Sequence, residues 1–88
     1  MSWRWVLDRA AERDMRRADQ PTRRRILALL DRFATNPTRS DVDIRRLQGM
    51  SDEWALRVGE WRVRFFYDRA NQTIVVVRVL PRRDAYRG

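Results

Sequence analysis

Eighty-eight residues suffice for one hydrophobic core and not for two, so the chain is expected to form a single domain over residues 1–88. Hydrophobic residues make up 43% and charged residues 36%, the balance of a folded protein with an ionic surface, and the net charge of +8 points to a polyanionic partner. All 20 basic residues are Arg, and with no Lys, His or Cys the chain lacks the means for a structural zinc site, a thiol nucleophile, an imidazole base or a Schiff base.

Nucleic acid is the simplest such partner; an acidic protein, an anionic membrane, or a basic surface that only keeps the domain soluble are the alternatives. The apolar stretches are far shorter than a membrane span, and the start of the chain lacks the apolar centre of a signal peptide. The expected location is therefore the cytoplasm, without membrane association.

In chain order, Trp3 to Val6 alternates large and polar residues and predicts a short opening strand. Leu7, Ala10, Ala11, Met15 and Ala18 then follow the three-and-four spacing of a helix stripe. Asp19-Gln20-Pro21 breaks that helix and begins the next, with Pro21 suited to a first helical position. Ile26, Leu27, Leu30, Phe33 and Ala34 form the second stripe, which Asn36-Pro37 stops. Pro37 to Ser51 reads as a polar loop, anchored by Leu47 or Ile44, with Asp41 and Asp43 exposed in it. Two loop carboxylates without a third ligand predict no metal site, and no cofactor is expected.

Trp54 to Tyr67 holds two alternating runs that meet at Gly59-Glu60, the pattern of a β-hairpin. Asp68 to Gln72 supplies a second turn, and Thr73 to Leu80 is the strongest strand signal. The short turns make these three strands an antiparallel meander, with the first strand added at an edge. Two amphipathic helices can bury their stripes only against one face of that sheet. The predicted fold is α+β, ordered β-α-α-β-β-β, an antiparallel sheet of about four strands with an αα-hairpin packed on one face. Strand parity turns Leu56, Val58, Trp61, Val63, Phe65, Val75, Val77 and Val79 to the helices. It leaves Arg57, Arg62, Arg64, Arg78 and Phe66 on the uncovered face, where guanidinium forks suit phosphate.

Three blocks occur in order: Leu47-Gln48-Gly49; Trp54-x-Leu56-Arg57-Val58-Gly59-x-Trp61-Arg62-Val63; and Val79-x-x-Arg82-x-Asp84-x-Tyr86-Arg87. With the paired helices before them, they resemble the RelE/ParE superfamily of toxins from type II toxin-antitoxin systems, and the terminal Tyr is similar to the RelE branch. That resemblance implies a metal-independent messenger RNA endonuclease working on the ribosome, with mRNA, the ribosome and a cognate antitoxin as partners, and a higher-order toxin-antitoxin complex. It assigns Arg57, Arg62, Arg82 and Tyr86 to catalysis. Arg64, Phe66, Arg78, Arg83 and Arg87 are expected to bind RNA around them. Ala55 stands where many members have Lys or Arg, and Pro81 where many have His or Lys.

RNA carries its own nucleophile, the 2′-hydroxyl. The protein must align it, accept its proton, stabilise the dianionic phosphorane and protonate the leaving oxygen. Arginine serves the charge but not the proton, since its pKa lies above about 12. Tyr86 is the expected proton carrier, its phenol lowered from about 10 by nearby guanidiniums; Glu60 and Asp84 compete for that role. Tyr86 could instead cover the sheet edge or stack on a base. Arg57 and Arg62 could bind phosphate for affinity alone or pair with Asp68 or Asp84, and Phe66 could stack a base or lie under the tail. A ParE-like inhibitor of DNA gyrase and an inactive basic nucleic-acid-binding module remain as alternative functions.

Overall fold

The computed structural model describes residues 3–37, 42–49 and 52–84. Strand β1 (Arg4–Leu7) leads into helices α1 (Arg9–Arg17) and α2 (Gln20–Thr35), followed by strands β2 (Ile44–Arg46), β3 (Trp54–Val58), β4 (Trp61–Asp68) and β5 (Thr73–Pro81). A single turn of 3₁₀-helix, Arg82–Asp84, ends the described chain. The α+β fold is as predicted, with a sheet of five strands in the order β1-β5-β4-β3-β2. Two details enlarge it. The opening strand does join an edge, but parallel to β5. The segment read as loop contributes β2, which pairs antiparallel with β3 at the other edge.

The helices begin where side chains replace missing backbone partners. Asp8 accepts the Ala11 N–H at 3.1 Å, and Asp19 accepts the Thr22 N–H at 3.2 Å and its hydroxyl at 2.6 Å. Arg23 donates to the Ala18 carbonyl at 2.6 Å, satisfying the end of α1 from the first turns of α2. The stripes then meet the sheet: Ala11, Met15, Ile26, Leu30 and Phe33 pack with Leu56, Val58, Val63 and Phe65 in one buried cluster. Each fully buried large side chain there contributes roughly 1.5–3 kcal/mol. Tyr67 closes one end, edge-on to Trp3, Phe33, Trp54 and Phe65.

Parity fails on β5. Arg64 pairs with Arg78, but Phe65 pairs with Val76, so Val77 is an extra residue that resets the alternation. Ile74 and Val76 are fully buried in place of the expected Val75 and Val77, which are half-buried. Beyond the bulge the expected parity holds, with Val79 buried opposite Val63 and Arg78 opposite Arg64. The Arg78 guanidinium donates to both carboxylate oxygens of Asp14 on α1, at 2.8 and 3.2 Å. Asp14 also accepts the Val79 N–H at 2.8 Å, beyond the point where β1 has ended alongside β5. That hydrogen bonding raises the Arg78 pKa above its ordinary value.

Candidate functional site

The site is assembled by backbone hydrogen bonds around the β3–β4 turn. Gly59 takes a φ of +58°, a left-handed conformation that glycine adopts freely, and with Glu60 makes a two-residue turn between the paired Val58 and Trp61. The next pair outward is Arg57 opposite Arg62. Arg82 is brought alongside by its own N–H, which donates to the Glu60 carbonyl at 2.7 Å. On the other flank the Arg57 N–H donates to the Asp43 carbonyl at 2.8 Å and fixes the start of β2 there.

These bonds gather Arg57, Arg62 and Arg82 around one hollow of about 250 Å³, whose remaining lining is Asp43, Arg45 and Ala55. Arg62 is only 7% exposed, and its Nη1 donates to the Gly59 and Trp61 carbonyls at 3.0 and 2.9 Å. Arg57 is about half exposed. Directly opposed like charges on adjacent strands destabilise a sheet by up to about 1 kcal/mol. An anion between them would reverse the sign.

Other expected RNA contacts fall elsewhere. Arg64 is also 7% exposed, and its Nε and Nη2 both donate to Glu53. It is held within the protein, whereas Arg78, its side chain 40% exposed, is paired with Asp14. Both were expected to be available on the open face; Arg64 is buried against Glu53, and the charge of Arg78 is engaged by a buried carboxylate. Phe66 is exposed on that face, in line with Val75 and through it with Val6, apart from the hollow. Arg83 is exposed, 3.9 Å from Asp84, and lines a second hollow with Glu60, Pro81 and Arg82. Tyr86 and Arg87 lie outside the described residues, as does Asp41.

Two lining residues escaped the sequence reading. Asp43 is exposed in the loop just before β2, as expected, but its place in the hollow, and that of Arg45 on β2, is not written in the sequence. Val42-Asp43-Ile44-Arg45 does alternate apolar and charged residues, but over too few positions to stand out as a strand. Among the described residues Asp43 is the one carboxylate lining the hollow. No group of three or more acidic residues among them could hold a metal ion. No helix of the described residues is long and apolar enough to cross a membrane.

An arginine-lined hollow at the turn end of a sheet, backed by an αα-hairpin, defines a RelE-like toxin fold. The chain belongs to the family of ParE toxins of type II toxin-antitoxin systems, whose sequence profile matches residues 6–86. Solved structures agree in fold. RelE in the archaeal RelE–RelB complex of Pyrococcus horikoshii matches with a TM-score of 0.76 at 22% identity, over 93% of this chain and 97% of that one. A free-state mutant of the E. coli toxin RelE gives 0.78 at 16%, over 97% and 88%. The YoeB/ParE toxin from Agrobacterium tumefaciens gives 0.73 at 19%, over 89% and 96%. No curated protein sequence matches significantly.

Proposed function

We propose that this toxin is a ribosome-dependent messenger RNA endonuclease of the RelE kind, with the arginine hollow as its cleavage centre. The observation that carries the reading is the convergence of Arg57, Arg62 and Arg82, from β3, β4 and the final turn, on one solvent-open hollow. Three guanidiniums around a phosphate stabilise the dianionic phosphorane formed when the 2′-oxygen attacks, and need no metal to do so. Tyr86, two residues beyond the last described turn, is the proton carrier of this proposal. Glu60 is the weaker candidate because it is exposed in the turn, and Asp84 because it sits against Arg83.

A cognate antitoxin is the expected protein partner, within a higher-order complex. RelE relatives from Pyrococcus horikoshii, Methanococcus jannaschii and E. coli are each solved with RelB. An acidic or amphipathic antitoxin segment laid over the hollow would neutralise it by charge. The second reading, inhibition of DNA gyrase, is favoured by one observation, the ParE description of the matching family. Induced expression in a bacterial host, followed by mapping of message ends, separates the two. Cuts positioned by codon on translated messages support the nuclease; intact messages with double-strand DNA breaks overturn it in favour of gyrase.

A further inference from the structure

Asp43 is an odd neighbour for a phosphate site. Its backbone is tied to Arg57, and its carboxylate lies 3.9 Å from Arg57 Nη1 and 3.9 Å from Arg45 Nε. Both distances exceed hydrogen-bond range, so the carboxylate keeps its acceptor capacity towards the hollow it lines. An anion there opposes phosphate binding, which makes sense only if the ligand also presents a hydrogen-bond donor. The ribose 2′-hydroxyl, one carbon away from the phosphate-bearing 3′ position, is that donor, and DNA lacks it.

We infer that Asp43 accepts the hydrogen bond of the 2′-hydroxyl at the cleaved nucleotide, selects RNA by it, and takes its proton. The inference rests on the nuclease reading above. As the O2′–H proton passes to the Asp43 carboxylate, O2′ forms a bond to phosphorus and the P–O5′ bond breaks, its electron pair staying on O5′. The leaving oxygen takes a proton from solvent. The products are a 2′,3′-cyclic phosphate and a 5′-hydroxyl, and the proton on Asp43 then passes to solvent. Asp43 thus performs the first of the two proton transfers that the arginines cannot.

The test uses purified toxin on ribosomes programmed with a message, cleaved in single turnover. Binding is measured on the same complex carrying a 2′-deoxynucleotide at the cut position. Asp43→Asn is expected to slow cleavage by roughly 10²–10⁴-fold while binding the uncleavable complex as tightly as the unaltered toxin or more so, because a repelling charge is gone. Asp43→Glu should restore part of the rate. If Asp43 served only to hold Arg57, the Asn variant would bind more weakly in step with its loss of rate, and that result overturns the inference. Full-rate cleavage by Asp43→Asn overturns it as well, while leaving the nuclease reading intact. Absence of cleavage by the unaltered toxin overturns both.

Discussion

At the scale of single residues, arginine is not replaceable by lysine in this hollow. Arg62 uses one nitrogen to grip the Gly59 and Trp61 carbonyls, so its planar head is oriented before any ligand arrives. A lysine has one nitrogen for both tasks. Arg62→Lys is therefore expected to cleave nearly as poorly as Arg62→Ala, and each of Arg62→Ala and Arg82→Ala should slow the chemical step by on the order of 10²–10³-fold, as for loss of one oxyanion donor. Message-end mapping after pulsed induction reads this directly, and undiminished cleavage by Arg82→Ala would place the pocket elsewhere. Tyr86→Phe keeps the ring and deletes the hydroxyl, so it separates proton transfer from base stacking: loss of rate at constant affinity is the expected outcome.

At the scale of elements, helix ends, turns and the central hairpin were legible because each is written in local chemistry. Asp19 and Pro21 mark a helix start, Asn36-Pro37 a helix end, and Gly59-Glu60 a tight turn flanked by alternating runs. The bulge was not legible. Ile74 to Val77 is apolar on both parities, so nothing in that run says which residue is extra, and the parity error falls on Val75 and Val77. The parallel pairing of β1 with β5 joins residues nearly 70 positions apart, and β2 is too short to show a period. The edge of β5 makes a prediction of its own. Asp14 is 5% exposed and holds both Arg78 and the Val79 N–H, so Asp14→Ala should destabilise the fold by about 2–4 kcal/mol, measured by urea unfolding. The caps predict a pH dependence. Hydrogen bonds from the Thr22 side chain and backbone hold Asp19 below its ordinary 3.8, so its contribution is present above that value and is lost as pH falls through the folded one. Burial raises Tyr67 above its ordinary 10.0, against the pull of Arg69, so its contribution is complete below that value and is lost as pH rises through the folded one. Ultraviolet titration of Tyr86→Phe, which leaves Tyr67 as the sole tyrosine, should show phenolate forming late.

At the scale of the whole molecule, a net charge of +8 draws the protein to any nucleic acid, but the hollow decides how many phosphates are held. Arg64 and Arg78 are committed to carboxylates, so the count of tight contacts rests on Arg57, Arg62 and Arg82 rather than on every arginine of the sheet. For single strands each contact contributes about 0.7 to the slope of log affinity against log salt, so three predict a slope of roughly −2. Ala55 offers a way to change that number. It forms part of the hollow's lining at 2% exposure, with Arg45 and Arg64 as its partners on the adjacent strands. Ala55→Arg restores the basic residue common at that position among the superfamily members it resembles, and its side chain can reach a ligand only by rising between those two like charges. Each neighbour costs about 0.2–1 kcal/mol when directly opposed. The expected variant is thus less stable to heat than the parent, binds RNA more tightly at low salt, and steepens the salt slope by up to about 0.7. A lower melting temperature with an unchanged slope would mean that the added guanidinium stays within the sheet, and that the lining at position 55 faces no phosphate.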